Sequence, residues 1–145
     1  MEWSVLPRNW APYTQSLFRI MTGLLFLEHG TAKLLSFPPG AAPPESFGML
    51  LVTGLIELIG GALIAVGFLT RPVAFILSGY MAAAYFIAHA PRGFFPILNH
   101  GELAILYCFA FLYFAAAGAG AWAVDAALYG RQSGADKGRD ALYRT

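Results

Sequence analysis

Four long apolar segments occupy most of this 145-residue chain, and they contain ionisable residues. A helix of about 20 apolar residues spans a bilayer, and a charged side chain within it costs about 3 kcal/mol or more unless it finds a partner or water. Only 12% of the residues are charged, whereas soluble domains have about 25%. The sequence therefore predicts an all-α integral membrane protein whose intramembrane ionisable groups are the functional candidates. These groups are Arg19, Glu28, His29, Lys33, Glu57, His89 and Glu102.

The segments predict a bundle of four transmembrane helices within a single membrane domain, residues 1–124. The Pro-rich stretch 36–47 cannot supply the backbone donors of a helix and ends the first span. Residues 125–145 are polar and Gly-rich and are expected to form a cytoplasmic tail. The predicted spans are about 14–35, 48–69, 72–90 and 100–122.

Basic residues predict the topology. With four spans, both termini and the turn between the second and third spans share one side, which contains six Lys or Arg residues, whereas the opposite loops contain Arg92 alone. Because positive charge marks the cytoplasmic face, both termini are expected inside. The first span is followed by no small-residue cleavage site, so we expect it to be retained. The bilayer is thus the first expected partner, and no nucleic-acid partner is expected.

This topology groups polar residues at the extracytoplasmic end. The first span brings His29 and Lys33 there, the third brings His89, and the fourth begins with His100 and Glu102. We expect them to converge in one outward-facing cavity lined by aromatic residues that include Tyr85 and Tyr107. For Glu102, a capping box with Asn99 is an equally good explanation.

Glu57 lies near the predicted midplane. It shares a stripe of the second span with Gly54 and Gly61, so it is expected to face a neighbouring helix across a close contact. Either Arg19 or Lys33 can supply its cation. A proton-relay or ligand-binding role and a purely structural ion pair remain equal alternatives, since a midplane acid is costly in both.

Several other chemistries are disfavoured. Cys108 is the sole cysteine, so no internal dithiol can form. The histidines come from three spans without short ligand spacing, so no metal site is predicted, although a metal bound by the outer histidines stays an open alternative. No flavin, haem or iron–sulfur motif is present, so the chain is not expected to be self-sufficient for redox chemistry or to hold an intrinsic cofactor.

Four motifs in order resemble the DoxX family of small bacterial membrane proteins: RIMTGLLFLEHGTAKL (19–34), GLIELIGGALIAVGFLTR (54–71), AHAPRGFFPILNHGELAILY (88–107) and GAGAWAVDAAL (118–128). The last motif departs from the family's usual GPG and SLD at Ala119 and Val124. The resemblance implies a multi-pass protein of the bacterial inner membrane. Carried over by position, it marks Arg19, His29, Gly30, Lys33, Glu57, Gly60, Gly61, Arg71, His89, Gly101 and Glu102.

The resemblance also implies a link to quinone-dependent oxidoreductase and oxidative-stress systems. On this hypothesis the chain is a subunit that binds a quinone or a similar small molecule, and its electrons come from a partner. The expected binding residues are His29, Lys33, Glu57, His89, Glu102, Tyr85 and Tyr107, and the expected structural residues are Arg19, Gly54, Gly60 and Gly61. The alternative is a non-catalytic structural or assembly subunit, in a homo-oligomer or a larger membrane complex. A transporter is a weaker alternative, because the chain lacks an inverted repeat.

Overall fold

The computed structural model describes residues 7, 10–41 and 46–128, and all regular structure in these residues is helical. The helix Thr70–Ala84 continues through a π-helical turn, Tyr85–His89, and a 3₁₀ turn, Ala90–Arg92. Residues 129–145, most of the predicted tail, lie outside the described residues. The helices are α1 (Ala11–Leu35), α2 (Phe47–Val66), α3 (Thr70–Ala84), α4 (Pro96–Asn99) and α5 (Glu102–Ala117).

Two helices end earlier than predicted. Helix α2 ends at Val66 rather than at residue 69, because Gly67 adopts a left-handed conformation (φ 72°) and its N–H bonds to the carbonyls of Leu63 and Ile64. Helix α5 ends at Ala117 rather than at residue 122, because Gly118 also has a positive φ of 91°. In both places apolar residues continue beyond the glycine, so hydrophobicity alone extended the predicted spans.

The helices pack as two antiparallel pairs, α1 with α2 and α3 with α5. The first pair is in backbone contact: a Cβ atom on Gly23 would lie 2.8 Å from Ala65 Cα, and one on Gly61 would lie 2.7 Å from Leu27 Cα. Gly60 faces α3, where a Cβ atom would lie 2.8 Å from Leu77 Cδ2. Small residues thus let α2 approach helices on two sides.

The surface of the helices is strongly apolar. Phe75, Ile76 and Phe109 are each about two-thirds exposed, and large apolar side chains are exposed along α1, α2, α3 and α5. By length and composition, two described helices are able to cross a membrane: Phe47–Val66, with 20 residues, and Thr70–Arg92, with 23 residues. Apolar surface of this extent is not stable in water, which indicates a membrane protein.

Residues 118–128 fold back onto the end of the molecule where α1 begins. Asp125 is packed there rather than lying in a free tail: its two carboxylate oxygens accept the N–H groups of Leu69 and Thr70, each at 2.8 Å. The Ser16 hydroxyl accepts the N–H of Trp122 at 3.0 Å. The segment therefore bonds to both the N-terminus of α3 and the first part of α1.

Arg19 is the buried centre of this end, and its side chain is fully inaccessible to solvent. Its guanidinium donates to the carbonyls of Ile64 (2.5 Å) and Ala65 (2.6 Å) at the end of α2, and to those of Ala119 (2.7 Å) and Trp122. It thus satisfies carbonyls that a helix end leaves unpaired. Arg19 does not contact Glu57, which excludes it as the partner of that acid.

Candidate functional site

A buried ion pair joins α1 to α2. Lys33 Nζ lies 2.8 Å from Glu57 Oε1, and the two side chains are 10% and 8% exposed. Lys33 Nζ also donates to Thr53 Oγ1 at 3.0 Å. The helices approach closely here because Gly54 has no side chain: a Cβ atom on it would lie 3.1 Å from Lys33 Cβ. Lys33 is therefore the cation that partners Glu57.

Tyr80 of α3 completes this cluster. Its hydroxyl donates to Glu57 Oε1 at 3.0 Å, so the same carboxylate oxygen accepts from two helices. The other oxygen, Glu57 Oε2, is buried and has no hydrogen-bond partner among the described residues. Lys33, Glu57 and Tyr80 are called the carboxylate cluster below. The sequence reasoning missed Tyr80, although a mid-helix tyrosine in an uncharged apolar segment needs a partner for its hydroxyl.

Aromatic rings connect the carboxylate cluster to His29. Phe26 is 1% exposed, and its ring centroid lies 6.3 Å from that of Tyr80 and 5.2 Å from that of Tyr107. The Tyr107 ring in turn contacts His29 edge-on at 6.0 Å. His29 itself is exposed. Tyr107 and His29 therefore lie near the cluster without bonding to the carboxylate.

Tyr85 and His89 belong to a separate cluster around Asn99. His89 Nδ1 lies 3.0 Å from the Asn99 carbonyl, and the Tyr85 and His89 rings stack at 6.4 Å. The fully buried Asn99 side chain donates to the Gly93 carbonyl at 2.8 Å and accepts the N–H of Gly101 at 2.8 Å. These contacts hold the connection between α3 and α5.

Glu102 lies apart from both clusters. It is exposed and makes no hydrogen bond or ion pair with the part of the chain that the structure describes. The capping box with Asn99 is not formed, since Gly101 is the N-cap of α5 and Asn99 bonds elsewhere. No hydrogen bond or ion pair among the described residues joins His29, Lys33, His89 and Glu102 to one another. Lys33 bonds to Glu57, His89 lies beside the Asn99 carbonyl, and His29 contacts the Tyr107 ring.

Two cavities lie away from the carboxylate cluster. One, of about 300 Å³, lies beside the start of α3, and the other, of about 320 Å³, lies against α1 near Tyr113. Within the described residues, no group of three or more His, Cys, Asp or Glu side chains is arranged to hold a metal ion.

Comparison with known proteins gives a consistent result. The model of the DoxX family matches residues 14–90, which include most of α1 and all of α2 and α3. A protein of Haemophilus influenzae, described as an uncharacterized protein, is 49% identical over 123 residues, which cover 81% of this chain and 92% of the relative. No solved structure matches this chain.

Proposed function

The chain belongs to the DoxX family, and from that membership we propose that it is a membrane subunit of a quinone-linked redox or oxidative-stress system. In this proposal the carboxylate cluster binds the polar head of a quinol or quinone. The site residues are Lys33, Glu57 and Tyr80, with Tyr107 and His29 beside them. The binding step needs no metal or intrinsic cofactor.

One observation carries the proposal: the unpartnered Glu57 Oε2. A buried carboxylate oxygen without a donor is costly in an apolar surrounding, and a ligand that donates an O–H would remove this cost. A quinol is such a donor. Lys33 Nζ has three protons and uses two of them on Glu57 and Thr53, so the third can be donated to the carbonyl of a quinone. Both redox forms thus find a complementary group.

The cluster also offers a route for protons. Glu57 accepts hydrogen bonds from Lys33 and Tyr80, and a carboxylate held this way can take one of the two protons that a quinol loses on oxidation, while the other is released to water. The two electrons must pass to a protein partner or a second substrate, because the sequence contains no flavin, haem or iron–sulfur motif. We therefore place the chain in a membrane complex, formed with itself or with a redox partner.

Within this proposal the chain crosses the cytoplasmic membrane of a bacterium four times, with both termini inside. Helix α1 contains three charged residues, but Arg19 is satisfied by backbone carbonyls and Lys33 by Glu57, so two of the three need no water. With 16 residues, α5 is about 24 Å long, shorter than the hydrocarbon core of about 30 Å, and local thinning of the bilayer can accommodate this difference. The excess of basic residues on the side of the termini supports the orientation.

Ligand binding to the purified full-length protein in phosphatidylcholine nanodiscs tests the proposal. We expect a short-chain benzoquinol to bind saturably, and Glu57→Gln to weaken its binding about 10-fold or more through loss of a charge-assisted hydrogen bond. Glu102→Gln is the matched control, because it makes the same chemical change at an exposed, unpartnered acid. Absence of binding to the wild type, or equal affinity of both variants and the wild type, would overturn the assignment.

The structure also favours a second candidate, a structural or assembly subunit. Lys33 and Glu57 join α1 to α2. Holding these two helices in register is by itself enough to explain the ion pair. The exposed apolar surface is available for packing against lipid or another subunit. In this case replacing both charged residues by apolar ones should leave the protein active in its complex.

A further inference from the structure

The cavity beside the start of α3 has an unusual set of polar groups. It has a volume of about 300 Å³, and its wall includes Thr70, Arg71, Gly118, Gly120 and Asp125. It lies at the end of the molecule opposite the α3–α5 connection. Because Arg71 and Thr70 lie at the N-terminus of a 15-residue helix, the helix dipole adds a partial positive charge.

Several donors around this cavity are unused. Thr70 is fully buried, and its Oγ1 has no partner among the described residues. Arg71 donates one Nη1–H to the Ala116 carbonyl at 2.9 Å, and its Nε and Nη2 make no hydrogen bond within the described part of the chain. The main-chain N–H of Arg71, in the first turn of α3, has no intrahelical acceptor. Thr70 and Arg71, the two residues with these unused donors, both line the cavity.

The acid in the cavity wall does not neutralise these donors. Both oxygens of Asp125 already accept N–H groups, from Leu69 and Thr70, and the buried Arg19 acts on the same carboxylate electrostatically. With Arg19 and Arg71 positive and Asp125 negative, the local charge is positive. A ligand that complements the remaining donors is an anion with several acceptor oxygens, as in a phosphate group.

The surroundings indicate where such a phosphate comes from. Trp10, Tyr13 and Trp122 are exposed at the same end of the molecule, as expected for side chains at the level of lipid head groups. Close to the cavity, Phe75 and Ile76 expose about two-thirds of their surface on α3, where acyl chains would lie. The geometry points to a binding site for the phosphate of an anionic phospholipid, formed by Arg71, Thr70 and the first turn of α3.

This site is independent of the carboxylate cluster, so the two proposals can fail separately. Lys33 and Glu57 join α1 to α2 toward the opposite end of that pair, and neither lines this cavity. A loss of lipid binding with unchanged quinol binding therefore concerns this site alone.

The test is lipid binding to the full chain in detergent, measured by native mass spectrometry and by the shift in Tm. The probes are dioleoylphosphatidylglycerol, dioleoylphosphatidylcholine and inorganic phosphate. We expect phosphatidylglycerol to bind more tightly than phosphatidylcholine. Arg71→Gln should weaken phosphatidylglycerol binding about 10-fold or more, and Thr70→Val should weaken it several-fold. Arg92→Gln, which removes an exposed arginine at the other end of α3, is the matched control and should bind as the wild type.

Arg71→Gln also removes the hydrogen bond to the Ala116 carbonyl. Each variant is therefore scored by the difference between its affinities for phosphatidylglycerol and for phosphatidylcholine. Arg71→Lys keeps the charge and is measured if the glutamine variant does not fold. Equal binding of the two lipids by the wild type overturns the proposal. So does an unchanged lipid preference in both Arg71→Gln and Thr70→Val, whereas Arg71→Lys, which keeps the charge, should retain the preference. If millimolar inorganic phosphate raises the Tm as much as phosphatidylglycerol does, free phosphate is the ligand and the lipid assignment is overturned.

Discussion

Replacing Glu57 by leucine separates the structural role of the carboxylate cluster from its proposed binding role. In Glu57→Leu, Lys33 Nζ stays buried at 10% exposure with Thr53 Oγ1 as its acceptor. Breaking a buried ion pair by removing one partner costs about 3 to 5 kcal/mol, and the hydrogen bond from Tyr80 to Glu57 is lost as well. We therefore expect Glu57→Leu to lower the free energy of unfolding by about 3 to 5 kcal/mol, and Glu57→Gln, which keeps an acceptor, by less.

The double variant Lys33→Met, Glu57→Leu should recover most of this loss. Replacing a buried ion pair by apolar residues of similar volume is often neutral or stabilising, so the coupling between the two positions should be about 3 kcal/mol. Equilibrium unfolding in mixed micelles, followed by circular dichroism, measures the cycle. Glu102→Leu is the control, with an expected change within about 0.5 kcal/mol. A double variant no more stable than Glu57→Leu alone would refute the argument that Lys33 is left without a partner.

Quinol binding by the same double variant decides between the two proposed functions. A stable double variant that has lost quinol binding supports the binding role of Glu57 and Lys33. A stable double variant that still binds quinol removes the carboxylate cluster from the site. If it also assembles and functions normally, the cluster contributes to folding alone, and the assembly subunit becomes the preferred function.

Three further results are expected. Gly61→Ala should destabilise the protein by about 1 to 3 kcal/mol, because its Cβ atom would meet the α1 backbone at 2.5 Å, whereas Gly79→Ala, with nothing within 4 Å, should be nearly neutral in the same unfolding assay. Arg19→Met should cost about 3 kcal/mol or more, since several buried carbonyls lose their donor, and limited proteolysis should then cleave after α5 sooner than in the wild type. Single cysteines replacing Ala42 and Ser133, both outside the described residues, should be labelled from outside intact cells at position 42 only; the reverse pattern would overturn the topology.

The helical class and the approximate positions of the long helices could be predicted from the sequence, because apolar length is a strong signal. The helix ends could not. At Gly67 and Gly118 the chain leaves the helix through positive φ angles while its side chains remain apolar on both sides. A hydrophobic segment continues through such a glycine, so hydrophobicity does not show where the helix ends. The helix ends where the following residues fold back, as residues 118–128 do.

The sequence predicted the partner of Glu57 only as a choice between Arg19 and Lys33. The glycine contacts between α1 and α2 decide between these two residues. Gly23 meets Gly61, and Gly30 meets Gly54, in one antiparallel register of α1 and α2. This register places Arg19 beside the end of α2 and Lys33 beside the stretch that contains Glu57. The sequence shows which glycines exist but not which pairs meet, so the choice required the packed helices.

The expected convergence of His29, Lys33, His89 and Glu102 stays a prediction, since no hydrogen bond among the described residues joins them. Depth along the membrane was the basis of that prediction, and equal depth does not require contact, since each helix presents its polar groups in its own direction. His89 turns toward the carbonyl of Asn99, within the connection between α3 and α5, and is therefore used locally. Tyr80, which faces Glu57, carries no formal charge and was not counted among the polar groups.

Unused hydrogen-bonding capacity distinguishes structural polar groups from binding groups in this protein. The guanidinium of Arg19 is surrounded by backbone acceptors, and Asp125 by backbone donors, so both complete the fold and leave nothing for a ligand. Glu57 Oε2 and Thr70 Oγ1 are the buried side-chain atoms left without a partner in the described residues. Burial removes both atoms from water, so each gains from a ligand that supplies the missing hydrogen bond. The two atoms lie in different parts of the molecule, so two ligands of different chemistry, a quinol and a lipid phosphate, follow from one criterion.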